Sequence, residues 1–322
     1  MGVVFNLHIH GIPFCQFLFR LAHPVIAEKV HIVKPYDSQI RLLLFPVDKI
    51  NFPQGDVNFY PSAVLPPEKF CPAGWQRLYF PAMKVRVAKS AGFCVGVKRA
   101  VELVLRLADE HRGRRIFTYG PLIHNPQTVK MLEEKGIMVF GEGGVTPQPG
   151  DIVVIRSHGV APAVMEELSR KNYEIFDATC PKVAYVHRIA REYSRQGYAV
   201  IIVGDENHAE VIGIKGEVEG DGVAVVNSPE QVESLPEWEK VVVIAQTTMD
   251  VDTFNSVVAA VKQKFSEVVV KNTLCSETSY RQREIKELAA DSDAFVVIGG
   301  KNSANTKRLF QLAKKTGLPT FW

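Results

Sequence analysis

Three cysteines lie at comparable positions along this chain of 322 residues. Cys94, Cys180 and Cys275 are 86 and 95 residues apart, which is about the length of one small α/β unit. Each of them follows a predicted strand or an apolar run, and these are 84–88, 173–176 and 268–270. Open α/β sheets bind ligands just beyond the carboxyl ends of their strands. We therefore expect three units to bring the three thiols to one centre.

Three thiolates without a fourth protein ligand suit an iron–sulfur cluster with one open coordination position, because a cubane cluster normally takes four cysteines. An open iron can bind an oxygen of the substrate. The alternative is a zinc ion held by the three cysteines and one histidine, but structural zinc sites usually draw pairs of ligands from short loops. None of the five cysteines forms a C-x-x-C pair. The spacing therefore favours an iron–sulfur cluster over zinc.

Three of the nine histidines lie in loops at the ends of predicted strands or at a helix start. They are His124, His158 and His208, and their placement beside the three cysteine loops favours a common site over isolated surface positions. Imidazole groups together with serine, threonine and asparagine donors suit a diphosphate. Glu210, two residues after His208, can deliver a proton.

A glycine-rich loop at 299–306 leads from an apolar strand into a helix. Its lysine, hydroxyl and amide groups would suit a phosphate at the helix N-terminus. An ordinary strand-to-helix turn capped by serine or asparagine has the same composition. Thr247 places a further hydroxyl after the strand predicted at 240–245. The loop at 92–98 lacks the spacing and the Ser or Thr of a P-loop, which excludes a nucleoside triphosphate site there.

Strands and helices alternate from residue 84 onward. Apolar periodicity predicts helices at 96–111, 126–135, 181–196, 252–265 and 304–315, and apolar runs predict strands at 84–88, 115–119, 151–155, 173–176, 199–203, 240–245 and 293–298. Such alternation is typical of mostly parallel sheets flanked by helices. The sequence therefore predicts an α/β protein of three small units.

The composition is that of a globular protein, with 46% hydrophobic and 23% charged residues. A net charge of +3 is too small to suggest a nucleic acid or an anionic membrane as a partner. No window reaches the roughly 18 to 20 apolar residues of a membrane span, and the N-terminus lacks the pattern of a signal peptide. We expect a cytoplasmic protein that binds neither nucleic acid nor membrane.

Residues 1–82 differ in composition from the rest of the chain. They contain ten of the 19 prolines and nine of the 18 phenylalanines, and the prolines interrupt any long helix or strand. Met83 precedes an alternating strand and has the position of a natural start of the folded protein. We expect 1–82 to be an N-terminal extension, to which the sequence assigns no role.

Eight segments together resemble the LytB family of 4-hydroxy-3-methylbut-2-enyl diphosphate reductases, over residues 83–322. They are GFCVGVKRAV at 92–101, HNPQTV at 124–129, SHGVAP at 157–162, DATCPKV at 177–183, HAEVIG at 208–213, QTT at 246–248, the cysteine at 275 and GGKNSANT at 299–306. Any one of them alone is unspecific, but the set is highly specific. The resemblance implies the last step of the non-mevalonate isoprenoid pathway, in which (E)-4-hydroxy-3-methylbut-2-enyl diphosphate is reductively dehydroxylated to isopentenyl and dimethylallyl diphosphate.

By this resemblance, a [4Fe-4S] cluster at the centre of three α/β units is held by the three cysteines, and its open iron binds the substrate hydroxyl. The implied substrate contacts are His124, His158, His208, Thr247, Ser303, Ala304 and Asn305. Ala304 replaces a serine of many family members and leaves only its backbone amide as a donor. Glu210 is implied as the proton donor and Thr247 as its relay. A ferredoxin or flavodoxin-type protein would supply two electrons, one at a time.

The resemblance also sets the expected units. Residues 83–93 form a first strand and loop that belong to the third unit, 94–179 form the first unit, 180–274 the second and 275–322 the third. Family members continue beyond the strand expected at 318–322, so we expect an incomplete third unit with an exposed sheet edge, weak diphosphate binding and low stability. The alternative function is that of a zinc-stabilised α/β phosphometabolite-binding protein without redox activity.

Overall fold

The structure is a computed structural model that describes residues 3–8, 56–58 and 84–322. The expected N-terminal extension at 1–82 lies outside these residues, except for two short strands. Within the described part of the chain, no helix is long and apolar enough to cross a membrane.

Strands and helices alternate after residue 84, as predicted. The strands are β1 (Val3–His8), β2 (Asp56–Asn58), β3 (Lys84–Val87), β4 (Ile116–Tyr119), β5 (Ile137–Val139), β6 (Ile152–Ile155), β7 (Glu174–Asp177), β8 (Ala199–Val203), β9 (Val223–Val226), β10 (Lys240–Ala245), β11 (Glu267–Val270), β12 (Ala294–Ile298) and β13 (Thr320–Phe321). The α-helices are α1 (Val95–Glu110), α2 (Pro126–Glu134), α3 (Pro162–Arg170), α4 (Pro181–Arg195), α5 (Ala209–Lys215), α6 (Val251–Lys264), α7 (Ser276–Ala289) and α8 (Ala304–Lys315). A 3-10 helix spans Pro229–Val232.

The described strands form three sheets, of which two are four-stranded and entirely parallel. The first sheet has the order β5-β4-β6-β7 and the second has the order β11-β10-β8-β9. Their central strands β6 and β8 are buried along their whole length. Continuous apolar strands of this kind are typical of parallel sheets covered by helices on both faces. The predicted α/β class with mostly parallel sheets is confirmed.

The third sheet is mixed and has the order β13-β12-β1-β3-β2. Strands β12 and β13 pair in parallel, whereas β1 runs antiparallel to both β12 and β3. The sheet therefore joins β3, from the segment expected at 83–93, to β12 and β13. Strand β13 is the edge strand on one side.

The predicted helices and strands end within one residue of the observed ones. Among the strands and α-helices after residue 84, the sequence pattern misses β5, α3, α5, β9 and α7. Helix α7 is missed because its buried positions include Arg281, Gln282 and Glu284, so that it shows no continuous apolar stripe. Helix α5 has only seven residues, which is too short for a periodic signal.

Polar side chains of α7 hydrogen-bond to the loop that follows β3 and carries the first cysteine. The buried carboxylate of Glu284 accepts hydrogen bonds from the amides of Lys89 and Ser90 at 2.5 and 3.0 Å. Arg281 Nη2 donates to the carbonyl of Gly92 at 2.9 Å. Helix α7 therefore sets the position of this cysteine loop through hydrogen bonds to its backbone.

Helix α8 contacts the second sheet through ion pairs of one arginine. Arg308 Nη1 lies 3.4 Å from Asp250 Oδ2, and Arg308 Nη2 lies 3.8 Å from Asp205 Oδ2. The two carboxylates follow β10 and β8. The N-terminal half of α8 is therefore held over the carboxyl ends of the central strands of the second sheet.

We expect Glu284→Ala to lower the free energy of unfolding by about 1 to 3 kcal/mol, because it leaves buried amide groups without an acceptor. Urea denaturation followed by circular dichroism measures this loss. The matched control is Glu287→Ala on the same helix, whose exposed carboxylate pairs with Arg283 at 3.4 Å. A loss of equal size in both variants would contradict the anchoring role of Glu284.

Candidate functional site

The three cysteines predicted as ligands each stand immediately before a helix. Cys94, Cys180 and Cys275 are the N-cap residues of α1, α4 and α7, and all three have extended backbone. The N-terminus of a helix carries a partial positive charge, which favours a thiolate over a thiol. The fold therefore gives all three side chains the same kind of electrostatic environment.

The thiols lie close enough to influence one another. Burial raises the pKa of Cys180, and the charges of Cys94 and Cys275 raise it further. Amides of the first turn of α4, those of Lys182 and Val183, hydrogen-bond to the thiol and oppose this rise. Metal ligation requires deprotonated thiols, and a multivalent cation offsets the repulsion between them. The donor set therefore fits a metal centre.

A glycine allows two of the cysteine loops to meet. A Cβ atom built on Gly96, in the first turn of α1, would lie 2.6 Å from Cys180 Sγ. No side chain fits at that distance, so only glycine lets the start of α1 approach the thiol at the start of α4. The second glycine of the GFCVG motif is thus explained by packing against a neighbouring cysteine.

Backbone hydrogen bonds tie the other two cysteines to strand-end loops. The amide of Cys180 donates to the carbonyl of Ser157, which follows β6, and the amide of Cys275 donates to the carbonyl of Thr247, which follows β10. Both distances are 3.0 Å. The carboxyl ends of the first and second sheets therefore face the cysteines, as the sequence analysis expects.

The three predicted histidines form one cluster. The ring centroids of His124 and His158 are 4.4 Å apart. The centroid of His208 lies 5.7 Å from that of His124 and 5.5 Å from that of His158. One nitrogen of each ring lies within 4.8 Å of the others. His124 and His158 follow strands of the first sheet, whereas His208 follows β8 of the second. The cluster therefore spans the junction of two sheets.

The surroundings of the three clustered histidines favour their neutral form. Burial lowers the pKa of His124, of His158 and of His208, and for His208 the value falls to about 4. Repulsion among the rings adds to this effect. Neutral imidazoles both donate and accept hydrogen bonds, and a bound polyanion would favour their protonation. This arrangement can bind phosphate groups and gain positive charge as it does so.

Arg156 is a further cation of the site and belongs to none of the motifs described above. Its charge lowers the pKa of all three clustered histidines, which places it near them. Its Nη1 lies 2.7 Å from where a Cβ atom of Gly120 would be, and its buried Nε has no hydrogen-bond partner among the described residues. Its position at the end of β6, two residues before His158, is the only signal that the sequence offers.

The predicted acid and its relay are in direct contact. Glu210 is 2% exposed, and its Oε1 accepts a hydrogen bond from the Thr247 amide at 2.6 Å. Thr247 Oγ1 donates to Oε2 at 2.8 Å. Burial raises the pKa of Glu210 although both bonds to Thr247 lower it. A carboxyl group of this kind retains its proton closer to neutral pH than an exposed one.

The glycine-rich loop of the third sheet reaches the histidine cluster. A Cβ atom on Gly300 would lie 2.5 Å from the carbonyl oxygen of His124, so the two loops are in contact. Ser303 caps α8 by accepting a hydrogen bond from the Thr306 amide at 3.3 Å, and Ala304 is the first residue of that helix. The buried Oδ1 of Asn305 has no hydrogen-bond partner in the part of the chain that the structure describes. The loop thus offers polar groups beside His124.

Comparison with known proteins matches residues 85–322 to the family model described as LytB protein. The 4-hydroxy-3-methylbut-2-enyl diphosphate reductase of Caldanaerobacter subterraneus subsp. tengcongensis is 42% identical over 240 residues, which cover 74% of this chain and 83% of the relative. The enzyme of the same name from Aquifex aeolicus is 42% identical over 238 residues, covering 73% and 81%.

Two solved structures are similar in sequence and fold. One is a structure of (E)-4-hydroxy-3-methyl-but-2-enyl diphosphate reductase, described as the terminal enzyme of the non-mevalonate pathway, with 42% identity, a TM-score of 0.58 and coverage of 73% of this chain and 83% of that one. The other is the E-1-hydroxy-2-methyl-but-2-enyl-4-diphosphate reductase from Plasmodium falciparum, with 28% identity, a TM-score of 0.66 and coverage of 71% and 72%.

The low pKa of His208 predicts a pH-dependent stability. The folded protein keeps this ring neutral down to about pH 4, whereas an unfolded chain takes up a proton near its ordinary value of 6.5. The free energy of unfolding should therefore fall as the pH is lowered through this window.

We expect His208→Asn to lose less stability than the parent protein between about pH 7 and about pH 5, since asparagine still caps α5 but does not titrate there. Urea denaturation at the two pH values measures the difference. His111→Asn, outside the cluster, should behave like the parent. An unchanged pH dependence in His208→Asn would contradict the prediction.

Proposed function

Because this chain belongs to the LytB protein family of 4-hydroxy-3-methylbut-2-enyl diphosphate reductases, oxidoreductases of isoprenoid biosynthesis, we propose that it removes the hydroxyl group of (E)-4-hydroxy-3-methylbut-2-enyl diphosphate. The products are isopentenyl diphosphate and dimethylallyl diphosphate. The reaction takes up two electrons and two protons and releases one water. The observation that carries the proposal is that three cysteine N-caps and a cluster of three histidines lie near the ends of neighbouring strands, where the Cys180 amide donates to the carbonyl of Ser157, beside His158.

We propose Cys94, Cys180 and Cys275 as the ligands of a [4Fe-4S] cluster. Their mutual charge repulsion and their positions at helix N-termini support a resident cationic centre with three protein ligands. When bound, such a cluster supplies Lewis acidity at one iron that the protein leaves free, and it supplies electrons one at a time. The wide separation of the three thiols in the sequence supports this cofactor over structural zinc.

The diphosphate is assigned to the histidine cluster and the glycine-rich loop. His124, His158 and His208 are neutral N–H donors whose protonation a phosphate would favour, and Arg156 adds a nearby positive charge. Ser303, Asn305 and the backbone amide of Ala304 lie at the start of α8, where helix amides favour an anion. Binding the diphosphate from two sides would hold the hydroxyl end of the small substrate toward the cysteines.

Glu210 is proposed as the proton donor and Thr247 as the group that positions the hydroxyl end and relays the proton. A buried carboxylic acid with a raised pKa keeps its proton to higher pH than an exposed one and can release it to a leaving hydroxyl group. The Oγ1 of Thr247, at 2.8 Å from Glu210 Oε2, completes a path from the acid toward the substrate. Protonation turns the departing hydroxide into water, which is a better leaving group.

The electrons would come from a ferredoxin or flavodoxin-type protein, because the reaction needs single-electron transfers to a centre inside the protein. We place the enzyme in the cytoplasm, where thiol ligands remain reduced. Both assignments follow from the proposed chemistry of the cysteines.

The test of the cofactor is a visible absorption spectrum with iron, sulfide and zinc analysis on protein purified without oxygen. We expect a brown protein with about four irons per chain, bleached by dithionite. Replacing any one of the three cysteine ligands by serine should remove most of the iron and abolish turnover. Cys71→Ser is the matched control and should retain both. A colourless parent protein with stoichiometric zinc would contradict the proposal and support the zinc-stabilised alternative.

The test of the acid is Glu210→Gln, which keeps the shape of the side chain but carries no transferable proton. We expect turnover to fall by about 10²- to 10⁴-fold, the usual contribution of a general acid, while the iron content stays unchanged. Glu206→Gln alters an exposed neighbour that pairs with Lys215 at 3.1 Å, and should keep full activity. Normal turnover in Glu210→Gln would exclude this residue as the donor.

A further inference from the structure

Helix α5 carries two residues of the proposed active site and packs on the loop that carries a third. His208 is its N-cap residue, and Glu210 lies in its first turn. The loop at 159–161 follows His158 directly and leads into α3. Since His158 follows β6 of the first sheet and His208 follows β8 of the second, the contact between α5 and this loop joins the two sides of the histidine cluster.

Two glycines make this contact, one inside α5 and one at its C-cap. A Cβ atom on Gly216, the C-cap residue, would lie 2.3 Å from the Cβ of Ala161 and 3.2 Å from its Cα. A Cβ atom on Gly213 would lie 3.7 Å from the carbonyl carbon of Val160. Non-bonded carbon atoms pack at about 3.5 to 4.0 Å, so a side chain at 216 would overlap the loop by roughly 1 Å.

The backbone of Gly216 does not itself require glycine. Its φ of −68° and ψ of −12° lie in the right-handed helical region, which every L-residue adopts. Alanine is ordinarily favoured over glycine in a helix. The missing side chain at 216 is therefore explained by the neighbouring loop and not by the conformation of the helix.

An anchored histidine ring closes the space on the buried side of the contact. A Cβ atom on Gly213 would lie 2.9 Å from Cε1 of His187, and a Cβ atom on Gly159 would lie 3.1 Å from the same ring carbon. His187 is 6% exposed, and its Nδ1 lies 2.9 Å from Oε1 of Glu217. Arg191 donates to the other oxygen of Glu217 at 2.7 Å. Because the ring is held in this way, it cannot move aside to admit a side chain at 213.

We propose that Gly216 is a positioning residue for the diphosphate, because its missing side chain lets α5 lie close enough to the loop for His158 and His208 to bind one ligand. The inference rests on the proposed assignment of the diphosphate to the histidine cluster. The two ring centroids are 5.5 Å apart. A misplacement of about 1 Å in a positioning element can lower a reaction rate by about 10²-fold. The same displacement would move Glu210 relative to a diphosphate held by His158.

A pair of substitutions tests the contact from both sides. Gly216→Ala adds one methyl group, and Ala161→Gly removes the methyl group that it would meet. Ala161→Gly alone should leave α3 intact, because Ala161 is the N-cap residue of that helix and glycine is the better N-cap. Lys215→Ala is the control on α5, since this lysine pairs with the exposed Glu206 at 3.1 Å.

We expect Gly216→Ala to bind inorganic diphosphate at least about tenfold more weakly and to lose about 10²-fold in kcat/KM for the allylic diphosphate. The iron content should stay unchanged, because none of the three proposed cysteine ligands lies on α5. The double variant, with Ala161→Gly added, should recover most of both losses. Ala161→Gly alone and Lys215→Ala should behave like the parent protein. Isothermal titration calorimetry with inorganic diphosphate and steady-state kinetics measure these effects.

Crystal structures of the parent protein and of Gly216→Ala measure the displacement directly. We expect the distance between the ring centroids of His158 and His208 to grow by roughly 1 Å, the overlap at the contact, and to return toward 5.5 Å in the double variant. Gly213→Ala enlarges the same contact from its buried side and should weaken diphosphate binding as well. It decides the question if Gly216→Ala does not fold.

Diphosphate binding and kcat/KM like those of the parent in a folded Gly216→Ala protein would overturn the inference. A loss that Ala161→Gly does not recover would also overturn it. The calorimetric and crystallographic measurements need no reductase activity. An active parent enzyme with unaffected variants would overturn the role of Gly216 alone. A parent protein that binds diphosphate, loses this binding in Gly216→Ala and does not reduce the allylic diphosphate would support the role of Gly216 and contradict the proposed function.

Discussion

Crowding of three cysteine side chains is the constraint on which the rest of this structure depends. Thiolates repel one another, and burial makes each of them harder to form, as the raised pKa of Cys180 shows. Helix N-termini offset part of this cost at each cysteine, and a cationic centre would offset the rest. The remaining structure must bring three separate helix ends together, which explains why close backbone packing occurs at Gly96 and why α7 binds the first cysteine loop through Glu284 and Arg281.

The same principle, with the opposite sign of charge, organises the histidine cluster. Three imidazoles and Arg156 are held close together, so protonation is unfavourable until an anion arrives. In such a site the three imidazoles remain neutral until an anion favours their protonation. The two crowded groups lie near the carboxyl ends of neighbouring strands, and the proposed substrate would have its anionic end at the histidines and its hydroxyl end at the cysteines. Glu210 and Thr247 join the second sheet to this junction.

The fold was largely predictable from local pattern, because apolar runs and helical periodicity reflect burial on each side of a strand or helix. The sequence pattern fails to predict an element where its buried side chains are polar. Helix α7 buries the side chains of Arg281, Gln282 and Glu284, which hydrogen-bond to the backbone of loops that follow β3 and β10. These polar residues interrupt the apolar stripe of the helix. The sequence also leaves the environment of His187 undetermined. This histidine, inside α4, has the same sequence context whether its ring faces solvent or the buried carboxylate of Glu217. Its contact with Glu217 joins residues 30 positions apart, and no local pattern records that distance.

The sequence by itself determined the α/β class, the cysteine and histidine residues placed at strand ends, and the family, because these depend on short-range periodicity and on motifs that are contiguous in the chain. Only the tertiary structure decided that the histidines form one cluster, that Arg156 lies beside it and that Glu210 bonds to Thr247. The physical reason is that pKa values, hydrogen bonds and steric fit depend on distances between residues that are far apart in the chain. Those distances exist only when the sheets have packed together.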